Sequence, residues 1–284
     1  MLVGCLAHDG KANDGRFHPE LQTELARLDA SKGPQAYEAL RAIWNTWDRA
    51  DPTQVEEALL SAEQNAKLGP PVRAYAGMLA AYARIRRGDV NQARSKIDSL
   101  GFVRRWLVVG PFDNEDRGGL DVEHGPEADF AQAIVPGRAY SGKERPVRWR
   151  AAPDAFPFGY IDFGSLLRPE RKICAFATSF VRAKAGSKAP RAISAWVGAS
   201  GGFTLYWNGR PVLKDPAHRG HDADRFATQL SLSPGYNGLT VKVCSDDAPP
   251  AVSVRLGDAS GAPDLALETT NDLGASAEAA KRAP

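Results

Sequence analysis

A chain of 284 residues, 43% hydrophobic and 25% charged, is long enough for one large folded domain or two ordinary ones. Its formal net charge of +2 gives no long-range field that would select nucleic acid or a membrane surface as partner. No stretch approaches the roughly 18 apolar residues of a membrane span, so membrane attachment is expected only through a lipid anchor.

The chain opens MLVGC, and Leu2-Val3-Gly4-Cys5 resembles the lipobox that bacterial lipoprotein processing cleaves before its cysteine. The resemblance implies a lipidated Cys5 and a place in the bacterial cell envelope, in the periplasm or at the outer membrane. An ordinary terminus is the alternative, because no basic segment or apolar stretch precedes the pattern. His8 to Phe17 is polar and reads as a tether within a first segment, 1–19.

Residues 20–101 carry helical periodicity. Leu21, Leu25 and Leu28 mark a short first helix; Ala36, Tyr37, Leu40, Ile43, Trp44 and Trp47 form a wide apolar stripe on the second. Asp51-Pro52 opens the third with a capping side chain and a proline in the first turn. Val72, Tyr75, Leu79 and Tyr82 line a fourth helix, and Val90, Ala93, Ile97 and Leu100 a fifth. Helix pairs starting near 34 and 70 lie about one tetratricopeptide length apart. ARIRRGDVNQARSKIDSL resembles the second half of such a repeat, with Gly88-Asp89 as the turn, Ala93 as the small residue and Ile97 as the large one. Arg84 departs from the pattern, and the preceding pair matches it only at Ala58. Trp44 and Trp47 are read as core or docking residues, and the resemblance implies a protein partner for this unit.

After Gly101, period-two alternation and turn residues dominate. Val103 to Val109 reads as a strand, followed by strands at 158–163, 172–183, 191–198, 202–207, 225–232, 238–244 and 251–256. Segments 113–129 and 136–156 read as long loops. Many short strands over 102–262 imply a sandwich or barrel, and residues 263–284 read as a linker or disordered tail.

In FTLYWNGRPVL, alternation turns Phe203, Leu205 and Trp207 inward and Thr204 and Tyr206 outward, with Asn208-Gly209 making a tight hairpin turn. A second Asn-Gly stands in LSPGYNGLTVKV, where Leu239, Val241 and Val243 point inward and Thr240 and Lys242 to solvent. Cys174 alternates with Phe176 and Phe180, read as inward, and Cys244 with the outward set. Cysteines on opposite faces cannot bridge, although an exported protein could pair them, so their pairing stays open. Trp196 alternates against Ile193, Ala195 and Val197. That sets it on an outer face where, near Tyr206, it could stack on a sugar ring or dock a partner.

WNGRPV, the strand FATQLSL and PGYNGLTVKV together resemble the galactose-binding-like jelly roll appended to many glycoside hydrolases. RWLVVGPFDNEDRGG resembles the opening strand and loop found beside tetratricopeptide repeats in large Gram-negative envelope lipoproteins, some with a transglutaminase-like domain further along. The resemblance spans roughly residues 36–262. It implies an α+β multidomain protein: N-terminal tetratricopeptide-like helical hairpins, then an antiparallel jelly-roll β-sandwich. It implies no catalytic residues, because the transglutaminase-like centre belongs to an α/β domain that this sequence does not spell.

The search for chemistry yields weak signals. Gly198-Ala199-Ser200-Gly201-Gly202 is formally G-x-S-x-G but lies between two strands, so it reads as a glycine-rich hairpin rather than a nucleophile elbow. His218, His221, Asp222 and Asp224 mix ligands suited to zinc or copper with ligands suited to calcium or magnesium; a solvated loop is the other reading. Asp113, Asn114 and Glu115 are oxygen-rich without calcium-loop spacing. Because related jelly rolls often hold a structural calcium, the resemblance leaves room for that ion and for no other cofactor. The expectation is a non-catalytic envelope binding or scaffolding lipoprotein. Two alternatives stand: a carbohydrate-binding module using Trp196 and Tyr206, or the N-terminal part of a larger transglutaminase-like envelope enzyme.

Overall fold

Prolines set the helix starts of the first part of the chain, their fixed φ and missing N–H being compatible only with a first turn. The computed structural model describes residues 17–153, 159–186 and 188–284. It divides into two units, Met1–Gly88 and Asp89–Pro284. Cys5 and the tether before Phe17 lie outside the described residues.

In the first unit, α1 (Pro19–Ala30), α2 (Pro34–Asn45), α3 (Pro52–Gln64) and α4 (Pro70–Arg86) each begin on a proline. Asp51 caps α3 by accepting from the Thr53 amide at 2.7 Å, as its Asp-Pro start implies. Small buried residues on α4 (Ala74, Ala76, Gly77, Ala80, Ala81) let α3 approach closely. Arg84, the residue that breaks the repeat pattern, pairs instead with the nearly buried Glu56, 2.8 Å away, which also takes Arg87 at 2.5 Å.

The second unit opens with α5 (Val90–Ser99), capped by Asp89, so the helix expected to close the helical domain falls on the far side of the division. There follow β1 (Leu107–Asp113), α6 (Gly125–Ala128), β2 (Tyr140–Ser141), β3 (Pro146–Val147), β4 (Arg150–Ala151) and β5 (Tyr160–Asp162). The longer strands are β6 (Ile173–Ala183), β7 (Arg191–Ser200), β8 (Gly202–Trp207), β9 (Arg210–Asp215), β10 (Phe226–Leu232), β11 (Asn237–Ser245) and β12 (Ala251–Asp258). β13 (Leu267–Thr270) and α7 (Leu273–Ala280) end the chain.

A seven-stranded antiparallel sheet runs β4-β1-β6-β11-β8-β9, with β13 also on β6; a four-stranded sheet runs β10-β7-β12-β5. Between them lies one core: Val108, Ala175, Val197, Phe203, Leu205, Trp207, Val241 and Val254 among others. The inward reading of Phe203, Leu205, Trp207, Leu239, Val241 and Val243 holds. The Trp207 ring is 6% exposed and its Nε1 donates to Ser231 O at 3.0 Å.

Several expectations are corrected. Phe176 and Phe180 do not enter this core; with Cys174 they occupy the opposite face of the seven-stranded sheet, in a second apolar cluster with Phe112, Leu120, Tyr140, Trp149, Ala275 and Ala279. Lys242 is not in solvent but fully buried on that same face. Cys174 and Cys244 are therefore neighbours, directly opposed in the β6–β11 ladder, and form a disulfide. Alternation tells which residues share a face; it does not tell which face a later segment covers. Here the segments read as loops supply the cover, together with 263–284, which forms β13 and α7 rather than a linker. The Gly-Ser-Gly stretch is not a hairpin either, since β7 and β8 belong to different sheets and the chain turns a corner between them.

Candidate ligand-binding groove

The covered face of the seven-stranded sheet carries a polar cluster that positions a groove. α6 brings Glu127 down onto β8 and β11, and its carboxylate takes the His124 amide at 2.8 Å, closing the helix start. Glu127 Oε1 accepts the Tyr206 hydroxyl at 2.5 Å, and Lys242 Nζ lies 3.2 and 3.0 Å from the two carboxylate oxygens. The ammonium also donates to Leu120 O at 3.1 Å and Val122 O at 2.6 Å. A buried charge is tolerated when paired and fully hydrogen-bonded, and both conditions are met.

Burial lowers the Lys242 pKa, the Glu127 charge opposing it. Burial first, then the bond to Glu127, raises the Tyr206 phenol well above its usual value, so it remains a protonated donor. The cluster is thus fixed in place.

Over this cluster runs an open groove of about 420 Å³, bordered by Asp121, Glu123, Phe130, Thr204, Tyr206 and Lys214. The Phe130 ring packs on Tyr206 with centroids 4.9 Å apart. Lys214 pairs with Asp121 on the exposed rim. The groove thus offers an aromatic edge, hydroxyls, carboxylates and an ammonium within a small space.

The turn that ends β8 helps shape it. Asn208 and Gly209 adopt φ of +51° and +73°, the conformation a two-residue hairpin needs. The second Asn-Gly is not a turn. Asn237 starts β11, fully buried, and its side chain bonds Ser233 O at 2.8 Å and Gly235 O at 3.0 Å. The two pairs meet: Asn208 Oδ1 accepts from the Gly238 amide at 2.8 Å, and Asn208 Nδ2 donates to Asn237 Oδ1 at 3.1 Å.

Of the residues expected at a ligand site, Tyr206 lines the groove; Trp196 does not. It stands on the outer face of the other sheet, half-buried, with Nε1 donating to Ser194 Oγ at 3.1 Å and the Arg255 guanidinium 5.2 Å from its ring. Lying on outward faces of different sheets, Trp196 and Tyr206 form no common platform.

The expected metal ligands are dispersed as well. His221 Nε2 meets Ser253 Oγ at 3.0 Å, its ring 5.0 Å from Tyr160. Asp224 is buried against Arg255, its Oδ2 2.7 Å from Nε and 2.6 Å from Nη2, not solvated in a loop. Burial raises the Asp224 pKa, Arg255 opposing it. The Asp222 carbonyl lies so close to β7 that a Cβ on Gly198 would stand 2.4 Å from it. Asn114 spends its amide on Ser245 O at 2.8 Å and the Gly119 N–H at 3.0 Å. Asp113 and Glu115 face Lys143 at 3.4 and 2.6 Å. Among the described residues no three His, Cys, Asp or Glu side chains converge as a metal site. Glu127, Phe130 and Lys214 were missed in the sequence; the one local signal was a lysine inside the strand-forming run LTVKVC.

No protein-family model matches the chain, and no curated protein matches it. Among solved structures it is similar to the PA14 sugar-binding domain from an RTX adhesin (15% identity, 37% of this chain and 56% of that one, TM-score 0.27). It is also similar to the PA14 domain of the MpAFP antifreeze protein (16%, 34% and 51%, TM-score 0.26). A β-glucosidase from Kluyveromyces marxianus shares 11% identity over 54% of this chain and 14% of its own, with a TM-score of 0.28. The chain thus spans about half the length of the PA14 domains it matches. Likeness of this extent assigns neither a fold family nor a ligand.

Proposed function

We propose that this is a non-catalytic binding protein of the bacterial envelope whose β-sandwich, of jelly-roll type, takes carbohydrate in the groove over Tyr206. The observation that carries the reading is the groove's composition: an aromatic ring beside hydroxyl, carboxylate and ammonium groups, the Tyr206 hydroxyl held in place by the buried Glu127–Lys242 pair. A sugar presents apolar C–H faces and a dense rim of hydroxyls, and such a mixture answers both. The Cys174–Cys244 disulfide supports an oxidising compartment, in keeping with the envelope and with a lipidated Cys5. A glycan array should retain the protein, and Phe130→Ala should weaken that retention about tenfold, an aromatic contact of roughly 1.4 kcal/mol. Trp196→Ala should leave it unchanged; the opposite pattern would refute the groove.

A second reading concerns the helical unit, which we infer is tetratricopeptide-like and docks a protein. It is favoured by a half-buried cluster in which Trp44 lies 5.5 Å from Trp47 and 6.3 Å from Tyr82. The Arg86 guanidinium stands 4.4 and 5.2 Å from the two indoles. Tryptophan and arginine dominate interface hot spots. Pull-down from envelope extract should recover a partner that Trp47→Ala loses; equal recovery by both proteins would end this reading.

A further inference from the structure

A second groove of about 420 Å³ lies along the edge strand β4, bordered by Arg145, Arg148, Arg150 and Arg168. Its origin is legible in the stretch RPVRWR. Val147 and Trp149 are buried while Arg148 and Arg150 are exposed, so an extended segment sends its apolar side chains inward and its arginines out together. In extended backbone, residues two apart are roughly 7 Å from one another.

Three of these guanidinium groups are positioned by backbone carbonyls. Arg148 Nε donates to Gly137 O at 3.2 Å, and Arg150 Nη2 to Leu166 O at 2.5 Å. Arg168 Nη1 donates to Leu167 O at 2.6 Å and also to Gly164 O. Backbone carbonyls hold the heads in place but leave their positive charge intact. Among the described residues only Arg168 has a carboxylate partner, Glu170 at 3.0 Å. The charges of Arg145, Arg148 and Arg150, gathered beside the Arg168–Glu170 pair around one concavity in a chain of net charge +2, repel one another until an anion enters. Guanidinium forks fixed beforehand lose little freedom in taking a planar carboxylate.

We propose that this arginine groove binds an acidic polysaccharide, its sugar carboxylates bridged by Arg148 and Arg150. Three features favour that class. The site is concave, whereas a membrane-binding surface presents exposed apolar side chains, and the exposed large apolar residues (Val90, Val122, Val135, Leu265, Leu273) are not in its lining. Trp149, the one aromatic there, is only 7% exposed and offers no face for a nucleobase to stack on. Successive arginines along an extended segment suit a chain with charges repeated along it.

The site is independent of the groove over Tyr206, and the test separates them. Titration of the full chain with polygalacturonate at about 0.15 M salt should show binding that neutral dextran does not. The pair Arg148→Gln and Arg150→Gln should weaken it tenfold or more, taking about 1.4 kcal/mol as the least loss for charge-assisted bonds. Arg148→Lys with Arg150→Lys, keeping the charge but not the fork, should fall between. Phe130→Ala should change nothing here, whatever it does to other glycans. Should the glutamine pair melt early, the single changes Arg148→Gln and Arg150→Gln, each on an exposed side chain, carry the same test. Absence of binding, indifference to the arginine substitutions, or equal binding of polyphosphate, duplex DNA or anionic vesicles would overturn the proposal.

Discussion

His221 shows how one side chain, packed rather than catalytic, couples folding to pH. Burial depresses its pKa from 6.5 to about 4, with the Asp222 charge opposing the shift. In the unfolded chain the ring takes a proton near 6.5; in the fold it stays neutral until about pH 4. Its contribution is therefore complete above 6.5 and drains away as pH falls through that window, with a slope approaching about 1.4 kcal/mol per pH unit. Asp224, its carboxyl pKa raised, works in the opposite sense, so the comparison must be between the protein and His221→Asn. Urea unfolding at several pH values should show the wild type losing stability relative to that variant as pH drops from 6.5 to 4. Parallel curves would refute the assignment. Neither residue could be placed from sequence: the histidine and aspartate spacing spoke of metals, while the fold presses the loop flat against β7 and gives each a partner from β12.

Among the elements, β6 is the member on which the second unit closes. One of its edges pairs along its length with β11; the other is divided between β1, opposite Ile173 to Thr178, and β13, opposite Phe180 to Ala183. The first strand of the unit and its last thus lie on one strand, and α7 covers the phenylalanines alongside. Removing residues 263–284 would open that edge and expose Phe180, the combination that leads strands to pair between molecules. The truncated protein should run as larger species in size-exclusion chromatography, or fail to stay in solution; a stable monomer would show that the tail is dispensable. Composition alone made this segment look like a linker, because Ala275 and Ala279 are small and their burial depends on a groove formed elsewhere.

For the molecule as a whole, the legible and the illegible divide along one line. The α-then-β order, the helix start at Asp51-Pro52, the turn at Gly88-Asp89 and the inner faces of β8 and β11 could be read, because each rests on local periodicity or turn chemistry. The second layer over the seven-stranded sheet could not, for it joins residues far apart in the chain. Lys242 meets Glu127 across 115 positions, and Cys174 meets Cys244 across 70. A cross-link closing a loop of that length contributes about 4 kcal/mol in the chain-entropy account. It does so by restricting the unfolded chain, and the two strands it joins, β6 and β11, both line the inner core.

The meeting of the two Asn-Gly pairs also sets how this protein ages. Glycine after asparagine is the sequence most prone to lose the side-chain amide, because nothing on the glycine hinders attack by its nitrogen. Were Asn208 to become aspartate, the donor facing Asn237 Oδ1 would become a second oxygen. Spontaneous damage at an outer turn would then set two acceptors against each other at the buried start of β11, linking shelf life to the packing of the sandwich.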